Sequence, residues 1–153
     1  MMLLSKDEMG HWNFKKFDPT NHFGFLYCIH NKETGQFYLG KKQLFRGGKK
    51  KSPTYGKEMP WRTYTGSSIE LNKDIKKQGR NGFKFDIIDT YQTKGGLYYA
   101  EAYSQMMSDA LTAMLTDGKT QKSYNRQIAA IRFIPKEEAT ARTKKYIKSL
   151  KGK

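Results

Sequence analysis

The sequence predicts an α/β fold of the α+β kind, in the order β-β-basic loop-α-β-α-α. Three observations carry this. Residues 24–44 read as two strand segments around a polar turn; residues 83–91 alternate as a third strand; residues 69–78 and 97–115 place apolar side chains at helical spacing. With 153 residues the chain is long enough for one core and too short for two large ones.

The elements follow in order. Residues 1–22 read as an irregular leader, with Trp12, Phe14 and Phe17 available to pack on the core. Residues 24–30 (GFLYCIH) are rich in strand formers, and Asn31 to Gly35 is turn chemistry, with Gly35 free to take a positive φ. Residues 36–44 return as the second strand, so a hairpin aims Tyr27 and Tyr38 in a fixed register. Residues 45–60 hold three glycines, two prolines and the run Lys49-Lys50-Lys51, which reads as a long basic loop. Ser67 or Ser68 caps a helix over 69–78, whose apolar side is Ile69, Leu71 and Ile75, and Gly79 stops it. Phe83, Phe85 and Ile87 put the third strand on one face. Gly95-Gly96 breaks the chain before the helix at 97–115, and Pro135 precedes a basic terminal helix at 136–151. That last helix has sparse apolar positions and is expected to be peripheral or frayed, against nucleic acid.

Lys and Arg total 29 against 14 Asp and Glu, a net charge of +15. This is the electrostatic footprint of a nucleic-acid binder. A lysine run on a loop contacts phosphates by charge and reads no sequence. The one cysteine, Cys28, excludes an internal disulfide and a cysteine-based zinc site; in a strand it reads as a small buried hydrophobe. The start is too short in apolar residues for a signal peptide, and no window is long enough to span a membrane. The expectation is a soluble protein of a reducing cytoplasm, with no membrane partner.

The histidines lack metal-ligand spacing, Gly47-Gly48 lacks the rest of a phosphate loop, and the acids are scattered. What remains is Tyr27, Tyr38, Arg62, the lysines after Gly40, and Glu101. Phosphodiester cleavage needs an activated nucleophile and charge stabilisation of the phosphoryl and leaving oxygens. One carboxylate can hold Mg²⁺ when waters and a substrate phosphate complete its shell. An arginine can grip the phosphate bidentately.

Gly24-Phe25-Leu26-Tyr27 and Tyr38-Leu39-Gly40, with ten residues between the tyrosines, resemble the GIY-YIG nuclease family. The run Trp61 to Ser68, the strand at 83–89, Glu101 and Tyr124-Asn125 are similar to its phage Seg-type, homing-endonuclease branch, over roughly residues 23–128. The resemblance implies a three-stranded antiparallel sheet flanked by helices, and a nuclease domain at 23–128 followed by a basic extension at 129–153. It implies a DNA endonuclease using Mg²⁺ (or Mn²⁺), in the host cytoplasm if phage-encoded. It also implies that Tyr27 activates the attacking water, that Tyr38 is the second site tyrosine, that Glu101 binds the metal, and that Asn125 lies near the site. Gly40, Lys41, Lys42 and Lys49 to Lys51 are expected to support the site or DNA.

The chain departs from the family at the arginine usually found on the first helix, because residues 69–78 contain none. Arg62 is the substitute expected here, with Lys41 or Lys42 as point charges in its place. The same departure leaves an alternative, a non-catalytic basic nucleic-acid-binding protein on a degenerate scaffold. Residues 129–153 are too few for a separate sequence-reading domain. Specificity is therefore expected to be weak, or to come from a homodimer or the 45–60 loop.

Overall fold

A turn sets the register from which the sheet is built. In the computed structural model, which describes residues 3–152, β1 (Gly24–Asn31) and β2 (Phe37–Gln43) meet across residues 32–36. Met1, Met2 and Lys153, at the outer ends of the expected leader and extension, lie outside the described residues. The Asn31 side-chain oxygen accepts from the amides of Glu33 and Thr34 at 3.0 and 3.2 Å, and Gly35 takes φ +81°. This ties the turn to its own first residue and pairs Tyr27 with Gly40.

β3 (Phe83–Tyr91) pairs with the other side of β1, giving a three-stranded antiparallel sheet of order β2-β1-β3. Leu26 pairs with Asp89 and Tyr27 with Ile87, so Ile88 is an extra residue that bulges β3. β1 is the central strand and is buried on both faces. One face carries Phe25, Tyr27 and Ile29, packed with Trp12, Trp61 and Leu71. The other carries Leu26 and Cys28, packed with Leu39, Leu97, Ile147 and Leu150.

The first helix, α1 (Ile69–Gln78), starts where Ser68 Oγ accepts from the Leu71 amide at 3.2 Å, and stops at Gly79. Leu71 and Ile75 are buried, whereas Ile69 is 82% exposed, so the expected apolar side loses its first member. The second helix, α2 (Lys94–Met107), differs from the expected 97–115 at both ends. Gly95-Gly96 lies inside its first turn and not before it. The Glu137 carboxylate accepts from the amides of Gln92 and Thr93 there, and a Cβ on Gly96 would stand 2.2 Å from it. The glycine makes room for a negative charge at a helix N-terminus, where the dipole favours it. α2 ends at Met107 because the chain turns through Asp109, a non-glycine residue with φ +55°.

The third helix, α3 (Ala141–Lys151), starts at Thr140 and not at 136, since Glu137 is engaged on α2. Thr140 accepts from the Thr143 amide at 3.1 Å and donates to Asp89 at 2.6 Å. The expectation of a peripheral or frayed helix is corrected. α3 buries Thr143, Ile147 and Leu150 against β3 and α2.

Both sheet edges are covered. Asn13 bridges the outer side of β3 through Phe85 and Ile87, and residues 122–124 hydrogen-bond to Phe37 on β2. The 45–60 loop is an ordered arm that continues β2: Arg46 and Lys57 pair at 2.8 Å, and Met59 donates to the Leu44 carbonyl at 2.7 Å. No helix among the described residues is long and apolar enough to cross a membrane.

If α3 is a core element, Ile147→Ala should lower the unfolding free energy by about 2–4 kcal/mol in urea titrations. A frayed helix would leave the midpoint unmoved.

Candidate active site

The centre of the site is the contact between Tyr27 and the strand opposite it. Tyr27 is 1% exposed, and its ring folds over Gly40, its cross-strand partner. A Cβ at Gly40 would lie 2.5 Å from the Tyr27 ring carbon that bears the hydroxyl. Only glycine allows this approach. Gly66, at φ +82°, approaches the same hydroxyl; a Cβ there would lie 2.9 Å from it and 3.0 Å from the Tyr38 ring. Two glycines thus crowd the Tyr27 hydroxyl, with the Tyr38 ring centroid 6.2 Å away.

The loop bearing Gly66 brings a third tyrosine, Tyr64. Its ring meets Tyr27 edge-on at 6.1 Å. The loop is fastened from α1, where the Asn72 amide donates to the Gly66 and Ser68 carbonyls at 3.1 and 2.8 Å. It is fastened again from the leader. Arg80 donates to His11 Nδ1 at 3.0 Å, so the proton sits on Nε2, which donates to the Tyr64 carbonyl at 3.0 Å. Tyr38 keeps a partly exposed hydroxyl, 3.4 Å from Ser67 Oγ.

Burial, with Tyr38, Tyr64 and Glu101 as neighbours, pushes the Tyr27 phenol well above its ordinary range. Tyr27 is therefore a neutral phenol here. Burial also raises Tyr64, against the lowering effect of Lys41. The Glu101 carboxylate on α2 faces Lys41 on β2, with Nζ to Oε1 at 3.0 Å, and the same ammonium lies 4.3 Å from the Tyr98 ring centroid. Lys42 points to the opposite face and sits 4.3 Å over the Tyr64 ring, its pKa lowered by burial and by Arg46.

Asn125 acts on the backbone. Its side chain accepts from the Leu39 amide at 3.0 Å and donates to the Leu39 carbonyl at 2.8 Å, taking the place of a neighbouring strand immediately before Gly40. Gln105 on α2 adds a second donor to that carbonyl at 3.1 Å.

The structure brings Tyr27, Tyr38, Gly40, Lys41, Lys42, Glu101 and Asn125 together. It does not bring Arg62 to them. The Arg62 guanidinium donates to the Glu8 carbonyl at 2.6 Å and to Glu58 at 2.5 Å, and stacks on Trp61. Lys49, Lys50 and Lys51 are exposed at the tip of the arm. Sequence reasoning missed Tyr64, Gly66, Asn72 and Arg126. Arg126 lines the cleft beside Tyr38 and Ser67, and pairs with Glu70 at 2.6 Å. One signal was present: Tyr64-Thr65-Gly66 repeats the spacing of Tyr38-Leu39-Gly40.

Among the described residues no three His, Cys, Asp or Glu side chains cluster as a metal cage. Glu101 offers a single carboxylate, its side chain 13% exposed, with the Lys41 ammonium against one oxygen. That donor set fits a hard cation that keeps several waters, as Mg²⁺ does, and does not fit zinc.

A family model described as "Putative endonuclease segE, GIY-YIG domain" matches residues 9–128. The chain belongs to this GIY-YIG family. No curated protein and no solved structure matched it. The family match begins inside the leader, at the segment whose Trp12 packs against Tyr27.

His11 tests how the Tyr64 loop is pinned. Burial, then the Arg80 charge, lowers its pKa from 6.5 to about 4. The unfolded chain therefore binds the extra proton between these values, so stability falls as pH drops from about 6.5 towards 4. Urea titrations across that window should show a shallower pH slope for His11→Phe than for the wild type. Parallel slopes would contradict a buried neutral imidazole.

Proposed function

We propose that the protein is a divalent-cation-dependent DNA endonuclease that hydrolyses phosphodiester bonds around Tyr27, Tyr38 and Glu101. The observation that carries this reading is that Tyr27 lies on Gly40 while Glu101 meets the next residue of β2, Lys41, at 3.0 Å, so the groups to which the family resemblance gives water activation and metal binding meet adjacent residues of one strand. Glu101 would hold the cation. When bound, the cation supplies Lewis-acid stabilisation of the phosphoryl oxygens and a more acidic bound water.

The protein's own residues do the rest. Tyr27, a neutral phenol, would act on the attacking water as a hydrogen-bonding hydroxyl and not as a phenolate. Tyr38, the second tyrosine, lines the cleft with Ser67 and Arg126, where a guanidinium can meet phosphate oxygens. Lys41 and Lys42 add point charges close to the tyrosines. The net charge of +15 and the Lys49 to Lys51 tip support duplex tracking through phosphates, without base reading. The likeness to the homing-type branch extends the proposal to a phage-borne mobile-element role.

The absence of an arginine from α1, with Arg62 engaged on Glu58, favours a second reading as a non-catalytic DNA binder. Plasmid cleavage separates the two. Purified protein should cut with Mg²⁺ or Mn²⁺ and stop with EDTA. Glu101→Gln and Tyr27→Phe should each slow cutting about 100-fold or more. Salt-sensitive binding without cutting would select the binder, and variants as active as wild type would displace the site.

A further inference from the structure

We propose that the Lys41 ammonium and a divalent cation are alternative occupants of the Glu101 carboxylate, and that loading the site releases Lys41 to meet a substrate phosphate. The inference rests on the reading of Glu101 as the metal-holding residue. Three observations support it.

The Lys41 Nζ to Glu101 Oε1 contact, at 3.0 Å, is a hydrogen-bonded ion pair, with the two side chains only 26% and 13% exposed. A cation binding that oxygen would stand beside a fixed positive charge in a poorly screened place, and the two repel. No second carboxylate among the described residues forms an ion pair with Lys41. Among the described residues there is no acidic or histidine cluster that could serve the lysine and the metal together.

Lys41 also has somewhere to go. Its flexible four-carbon stem starts from β2 next to Gly40, and its ammonium already rests against the Tyr98 ring, 4.3 Å from the centroid. Tyr98 lies one turn before Glu101 on α2, so the ring holds the lysine at the mouth of the site when the carboxylate is taken. A guanidinium held by a bidentate fork would release less readily than a single ammonium. This gives a lysine here a function that an arginine would serve poorly. It also makes metal and DNA cooperative: each favours the state in which Lys41 has left Glu101.

Calorimetric titration with Mn²⁺ alone, without DNA, tests the exclusion. Lys41→Met should bind Mn²⁺ about fivefold to tenfold more tightly than wild type, the range set by losing this ion pair. Lys76→Met, which removes an exposed charge on α1, should not. Glu101→Gln should lose binding. Equal or weaker Mn²⁺ binding by Lys41→Met overturns the exclusion. Unchanged binding by Glu101→Gln instead overturns the reading of Glu101 beneath it.

A second measurement covers a Lys41→Met protein that folds poorly. With Lys41→Gln, the loss of duplex-DNA affinity relative to wild type should be larger in Ca²⁺ than in EDTA. An equal loss in both overturns the release of Lys41.

Discussion

Everything at this site depends on a contact that only a glycine permits. The Tyr27 ring lies over Gly40 so closely that a methyl group at that position has no room. The strand register puts the two residues opposite each other, and a one-residue slip would send Tyr27 to the other face of the sheet. Gly66 approaches the same hydroxyl from the Tyr64 loop. The tyrosine is neutral and immobile because it is enclosed, and the groups that meet solvent are arranged around it: Tyr38, Tyr64, Lys41 and Glu101.

A three-stranded sheet has two edges for one central strand, and this chain uses the covering of both edges to build the site. The Asn125 amide completes the ladder at Leu39, so the strand that carries Tyr38 and Gly40 cannot fray where it matters. On the other edge, the leader that bridges β3 through Asn13 also delivers Trp12 against Tyr27 and His11 against the Tyr64 loop. The strap before α3 delivers Glu137 to the N-terminus of α2, the helix that holds Glu101. Segments that look peripheral in the sequence are therefore the supports of the central tyrosine and carboxylate.

Much of the fold was legible because period and turn chemistry are local. The hairpin, α1 and β3 follow from alternation, the Asn31–Gly35 turn and the Ser68 cap. The helix ends were not legible, because tertiary partners set them. Gly95-Gly96 looks like a break until Glu137 is seen lying on it, and the turn at Asp109 requires a φ that no pattern marks. Sparse apolar residues made α3 look peripheral, yet two large ones, with Tyr91 bonded to Thr143 at 2.7 Å, dock it. In the candidate site, Tyr27, Tyr38, Glu101 and Asn125 stood out as residues in sequence order, and Tyr64 did not. The cation was not. Arg62 stands near the loop in sequence, but its partners Glu8 and Glu58 draw it away, while Lys41 reaches Glu101 across 60 residues.

The most direct test of the Tyr27–Gly40 contact is a double-mutant cycle read by urea unfolding. Alone, Gly40→Ala should cost about 1–3 kcal/mol through overpacking. In a Tyr27→Ala background the same substitution should cost almost nothing, since the atoms it strikes are gone. An equal cost in both backgrounds would contradict the account, because Gly40 would then be required for something other than the tyrosine that rests on it.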